Sequence, residues 1–242
     1  MRSILVYADR GAAMSARLET GLALARAHGG HLTVLVDTPV SRYISMDPMG
    51  GSYLASDALQ KAMADDDAHA AAIETHLQGQ DVPFDVVRSE AEPVDALAAA
   101  ARLSDIIIVS RSSGLAGELA MVSRSPVLVV DEGAPLPMPL DVACVAWDGG
   151  DEAAHALRAA APLLAGCGVV HVLTVQEKPG GFPGTDALRY LSRHGINAEL
   201  QELVRTGSTE ETLASAAARC RSRLLVIMTM GRIEPLAASC SE

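Results

Sequence analysis

The segment Val6-Tyr7-Ala8-Asp9-Arg10-Gly11 returns as Val145-Ala146-Trp147-Asp148-Gly149-Gly150 at a constant offset of 139, and the same offset lays Val175 on Val36. Each copy is a short β-type run that ends at an Asp and a glycine and leads into apolar residues at helical spacing. An internal duplication leaves little freedom, because both halves must then fold as the same unit. At 242 residues the chain is long enough for two units that each bury a core of their own.

Within the first copy, Ile4 to Ala8 predicts a strand, and Met14, Leu18, Leu22 and Ala25 recur at helical spacing until Gly29-Gly30 stops the helix. Residues 31–36 predict the second strand. Two strands joined by one amphipathic helix make a βαβ unit, which implies a parallel sheet with right-handed crossovers. Residues 37–56 are rich in Pro, Gly, Ser and Met and read as a mobile loop. A helix over 57–77 turns Leu59, Met63, Ala70, Ile73 and Leu77 inward and Asp65, Asp66 and Asp67 mostly to water. A third strand covers 84–88, and Pro93 opens a helix at its first turn, where a missing N–H costs nothing.

The next stretch, residues 105–130, reads as a buried strand (Ile106 to Val109), a polar loop (Ser110 to Gly114), a brief helix and a fifth strand (Val127 to Val130). Open α/β sheets build phosphate sites in such a place, because the loop lies at the carboxyl end of a strand. Pro135, Pro137 and Pro139 with Gly133 then interrupt the pattern. They divide the chain into a first domain over 1–131, a linker over 132–140 and a second domain over 141–242.

The second copy matches the first through the strand at 169–175, shortens to a helix over 186–194, and resumes with a strand at 198–204. A helix with Ser208 or Thr209 as N-cap follows, then a strand from Leu224 to Met228. Residues 233–242 hold no β-type apolar run, so the second domain is expected to lack its last helix and strand.

Composition narrows the function. The net charge is -11 with pI near 5.0, and the 17 Arg and 2 Lys are scattered, so no basic footprint for nucleic acid exists. Cys144, Cys167, Cys220 and Cys240 show no Cys-x-x-Cys spacing and read as reduced, structural thiols. No apolar run approaches the ~18 residues of a membrane span and no signal-peptide core is present, so a soluble, cytoplasmic protein is expected. His28 with His31, and Asp65 with His69 and His76, offer two-point metal contacts at most and read as solvated polar faces. Neither a dinucleotide fingerprint, a Walker-type loop nor a nucleophile elbow occurs, so an enzyme has no support here.

Three features in both order and spacing resemble the tandem-domain universal stress proteins of bacteria: Trp147-Asp148-Gly149-Gly150 after a first strand, Gly207 to Leu213 before a third helix, and the ending Ser125-Pro126-Val127-Leu128-Val129-Val130. The resemblance implies an α/β fold of two tandem, doubly wound, parallel five-stranded sheets, adenine nucleotide alpha hydrolase-like, with strand order 3-2-1-4-5. Many such proteins bind ATP or AMP over the carboxyl ends of the strands. They use an Asp after the first strand, backbone groups at the end of the second, and a Gly-x-x-Gly loop followed later by Gly-Ser or Gly-Thr. Carried onto this chain, the site is Asp9, Val36, Ser110, Ser113 and Gly114.

Asp9 has a plainer reading as a turn residue leading into the first helix. Ser110 and Ser113 stand where the first two glycines belong, and a Cβ resists the positive φ and close phosphate approach that glycine allows. Gly114 leaves room for a small anion. In the second copy Asp148 and Gly231 are kept, but Met228 takes the first glycine position. The resemblance with this trimmed loop leads to a non-enzymatic stress-response protein that acts through protein interaction and needs no cofactor. The alternative is an ATP- or AMP-binding sensor using Asp9, Val36 and Gly114, and slow ATPase activity would require that binding first. The strand between Pro126 and Asp131, an apolar edge, is expected to pair protomers in a homodimer.

Overall fold

Ile106, Ile107, Ile108 and Val109 are each at most 3 % exposed, which a strand achieves only inside a sheet covered on both faces. The computed structural model describes residues 1–46, 52–175 and 181–228, and the chain divides into two compact units, Met1–Leu136 and Pro137–Glu242. The first unit contains β1 (Ser3–Tyr7), α1 (Met14–His28), β2 (His31–Asp37), β3 (Ile44–Met46), β4 (Ser52–Leu54), α2 (Ser56–Gln78), β5 (Phe84–Ser89), α3 (Pro93–Ala100), β6 (Ile106–Ser110), α4 (Ala116–Val122) and β7 (Val127–Val130). Its main sheet runs β5-β2-β1-β6-β7, parallel throughout, which is the expected order 3-2-1-4-5.

Side-chain alternation assigns the faces. Leu5, Tyr7, Leu35, Ile107 and Val109 pack with Val94, Leu97 and Leu119 of α3 and α4. On the other face α1 approaches so closely that a Cβ on Gly21 would stand 2.7 Å from Val6 Cγ2 and 2.8 Å from Leu32 Cδ1. This contact fixes α1 against β1, and Arg17, one turn earlier, comes to the carboxyl end of that strand. Gly29, with φ 57, closes α1 by returning its N–H to carbonyls of the last turn.

Two expectations are corrected. Residues 37–56 are not simply a mobile loop: β2 extends through Asp37, a single 3-10 turn spans Val40–Tyr43, and β3 pairs antiparallel with β4. That segment is tied down, since Arg42 donates to Glu92 Oε2 at 2.9 and 3.1 Å and Ser41 hydrogen-bonds the same carboxylate. Residues 47–51 of it lie outside the described residues. The three aspartates of α2 also differ, for Asp66 is only 16 % exposed, pairing with Arg10 and accepting from Thr38 Oγ1 at 2.7 Å. Asp65 and Asp67 remain half or more exposed.

In the second unit β8 (Val142–Ala146), α5 (Asp151–Leu164), β9 (Val169–Thr174), α6 (Gly184–Arg193), β10 (Ala198–Glu202), α7 (Thr209–Arg219) and β11 (Leu224–Val226) form a parallel sheet in the order β10-β9-β8-β11. Ala143 and Val145 face the core beneath α5 and α6, while Cys144 faces the opposite side, beneath α7. Ser208 is the N-cap of α7 and forms a reciprocal capping box with Glu211, a feature that contributes about 1 kcal/mol. Among the described residues this sheet has four strands. The expected loss of a last helix and strand, and with it Gly231 and Cys240, falls on residues 229–242, outside the described residues.

The turn after the first strand of each unit is the same. Gly11 N–H donates to Asp9 Oδ1 at 2.8 Å, and Gly150 N–H donates to Asp148 Oδ1 at 2.9 Å, the same turn in both copies.

Candidate functional site

In an order 3-2-1-4-5 sheet the crossovers change direction between β1 and β6, and the crevice over those two carboxyl ends is where open α/β sheets take ligands. Asp9 stands there just beyond β1, and Ser110 is the last residue of β6. The space between them is taken by Arg17, whose side chain is fully buried. Its Nη1 donates to Asp9 Oδ2 at 3.1 Å and to Ser110 Oγ at 2.6 Å, and its Nη2 pairs with Asp9 Oδ1. The guanidinium also lies 5.6 Å from the centre of the Tyr7 ring, a cation–π contact.

Polar groups continue to the next strand, where Asp37 at the end of β2 lies near enough to Tyr7 for its charge to act on the phenol. Burial, reinforced by the Asp37 charge, pushes the Tyr7 phenol up, and burial also pushes the Asp37 carboxyl up. Asp37, Tyr7, Arg17, Asp9 and Ser110 therefore lie across the carboxyl ends of β2, β1 and β6, with Arg17 bonded to Asp9 and Ser110 and in cation–π contact with Tyr7.

The remaining predicted residues fall as follows. Val36 is buried in β2, between Leu35, whose carbonyl accepts from Ala8 N–H, and the end of the strand, where Thr38 N–H bonds Ser89 O. Ser110 is extended at φ -93 and closes its own loop through Ser112 Oγ, 3.3 Å away, and through its carbonyl, which accepts from Ser113 Oγ at 2.7 Å. The left-handed conformation of this loop is carried by Gly114, at φ 70, after the 3-10 turn Arg111–Ser113. The structure thus brings Asp9 and Ser110 onto one group, and that group is a side chain of the protein.

Sequence reading missed Arg17. A signal was present: position 17 falls on the stripe of Met14, Leu18 and Gly21, so a charged residue there had to find a partner inside.

The second copy fills the corresponding place differently. Ala156 stands where Arg17 does, and the backbone at Phe182 crosses over the end of β8. Phe182 N–H donates to Gly149 O at 2.9 Å, and Trp147 Nε1 donates to Phe182 O at 2.9 Å. Among the described residues no group of three or more His, Cys, Asp or Glu side chains is placed to hold a metal ion. No described helix is long and apolar enough to cross a membrane.

No family model and no curated protein matches the sequence. Among solved structures, a universal stress protein from Archaeoglobus fulgidus superposes with a TM-score of 0.70 at 14 % identity, over 92 % of this chain and 84 % of that one. The chain has the universal stress protein fold. A second structure, of a universal stress protein family member from Burkholderia pseudomallei, is similar at 21 % identity with a TM-score of 0.42, over 53 % of this chain and 95 % of that one. In the universal stress protein fold of this chain, then, the crevice between β1 and β6 is spanned by Arg17, and the end of β8 by the Phe182 backbone.

Proposed function

We propose that this chain is a cytoplasmic universal stress protein that acts without catalysis, as an interaction scaffold whose nucleotide cleft is closed by its own side chains. The observation that carries this reading is Arg17, whose guanidinium bridges Asp9 and Ser110 in the crevice itself. A nucleotide using Asp9 would have to displace a charge-assisted contact from a fully buried guanidinium before making one of its own. Calorimetric titration of ATP and of AMP into the purified protein should give no binding heat. Micromolar affinity for either would overturn the scaffold reading in favour of a sensor built on Asp9, Val36 and Gly114.

The second part of the proposal is a homodimer through the strand between Pro126 and Asp131. Among the described residues β7 pairs on one side only, with β6, and it carries four apolar residues. Met121 and Val122, at the end of the helix preceding it, are 61 % and 55 % exposed and extend the apolar surface beside that edge. Light scattering should report about twice the 25.2 kDa chain mass. A clean monomer at high concentration would end this reading.

A further inference from the structure

On the face of the second sheet that α7 covers, side chains from three elements form one chain of hydrogen bonds. His171 of β9 stands in register with Cys144 of β8 on one side and with Glu199 of β10 on the other, so the three share a face. The His171 side chain is only 14 % exposed. Gln201, two residues further along β10, returns to that face and places Nε2 3.0 Å from His171 Nδ1. Its Oε1 accepts from Cys220 Sγ at 3.7 Å. Cys220 is the C-cap of α7, with its backbone N–H on Ala216 O and Ala218 O, so the chain of side-chain bonds ties the end of that helix to β10 and β9.

The chemistry of the amide fixes the direction of every bond in this chain. An amide nitrogen only donates, so His171 Nδ1 is the acceptor, and the neutral ring carries its proton on Nε2. A protonated imidazole has an N–H at both nitrogens and accepts nothing. Two donors would then face each other at 3.0 Å, and that contact cannot persist. The titratable groups around the ring are the Glu199 carboxylate on β10, the Cys144 thiol on β8 and, beyond Gln201, the Cys220 thiol at the end of α7. Glu199 Oε2 lies 3.7 Å from Nδ1, too far for a hydrogen bond, whereas the Gln201 amide is already in place and holds an acceptor on its other atom.

We propose that His171 and Gln201 form a proton-operated switch that reverses the hydrogen bonding of Cys220. One proton from solvent binds His171 Nδ1, and the Gln201 amide turns over about its terminal torsion, which is broad and roughly two-fold. Oε1 then accepts from Nδ1–H, and Nε2 donates to the Cys220 sulfur. Both contacts of the amide are kept, but each has changed direction. The half-buried Cys220 sulfur passes from donor to acceptor, so acidity registered inside the sheet is read out at the C-terminus of α7. Neither Arg17 nor the crevice of the first unit enters this device.

The test uses the full reduced chain, labelled with 15N, over about pH 8 to 5, the range in which imidazoles titrate. Long-range 1H–15N spectra should show the His171 proton on Nε2 at the upper end. On acidification the Gln201 side-chain amide resonances should move as a single titration with the midpoint of the His171 ring. The Cys220 S–H stretch, taken as the infrared difference between wild type and Cys220→Ala, should shift to higher wavenumber over the same titration as its bond to Oε1 is lost. In His171→Asn, which keeps an acceptor but does not titrate, both signals should stay constant. A ring proton on Nδ1 at the upper end, Gln201 resonances that stay still while the ring titrates, or movement that survives in His171→Asn would overturn the proposal. So would an S–H band that does not move, the result expected if the protonated ring turned to Glu199 instead. The wild-type spectra decide the outcome whether or not the His171 variant folds.

Discussion

Asp9→Ala is expected to lower the unfolding free energy by about 3–5 kcal/mol, and Arg17→Met by only about 1–2 kcal/mol, although the two substitutions break the same ion pair. The asymmetry follows from burial. The Arg17 side chain is fully buried, whereas Asp9 is 27 % exposed. Without Asp9 the guanidinium stays in the interior with Ser110 Oγ, a neutral acceptor, and a buried charge missing its counterion is the costly case. Without Arg17 the carboxylate still accepts from Gly11 N–H and is in reach of water, and methionine fills most of the vacated volume. Urea denaturation of both variants in one buffer measures the difference. Equal losses, or a larger loss for Arg17→Met, would show that the guanidinium is not enclosed as described.

This pair also shows why the crevice reads as it does. Open α/β sheets leave a gap where crossovers diverge, and polar groups exposed in that gap must be satisfied by ligand, water or protein. Here the protein supplies the partner from α1, and the serines of the loop after β6 bond within that loop. The glycine-poor loop and the Arg17 bridge are separate observations that favour the same outcome, a site occupied by the chain itself.

Much of the frame was legible before any coordinate. The continuous apolar runs at Ile106 to Val109 and Val127 to Val130 are strands buried on both faces or nearly so, and their order follows from the βαβ pattern. Asp9 and Ser110 are singled out by their positions after the first strand and at the end of the fourth. Arg17 is not, because its burial depends on a partner eight residues earlier that only the turn after β1 brings opposite it. The 37–56 segment was misread for a different reason. Strands of three residues are too short to show an alternation, and the ties from Ser41 and Arg42 to Glu92 span about fifty positions in the chain. Asp66 was expected in water on helical periodicity alone, but Arg10 and Thr38, outside that helix, enclose it.

Gly149→Ala should be the most damaging glycine substitution in the second unit, at about 2–4 kcal/mol, because three costs coincide there. Gly149 has φ 80, which a side chain opposes by about 1–2 kcal/mol. Its Cβ would stand 2.6 Å from Phe182 O and 3.0 Å from Phe182 N, and backbone atoms cannot swing aside as a side-chain tip can. Moving them strains the bond from Phe182 N–H to Gly149 O and the one from Trp147 Nε1 to Phe182 O, both 2.9 Å long. Gly195→Ala is the control: it shares a positive φ of 70 but has nothing within 4 Å, so it should lose about 1 kcal/mol and no more. Trp147, the single tryptophan, is buried and reports the difference directly. Denaturation followed by its fluorescence should show the larger loss for Gly149→Ala, with folded-state emission shifted to the red as the indole loses its cover. Equal losses with unchanged emission would mean that the Phe182 backbone is not held over β8, and that the end of this strand is open.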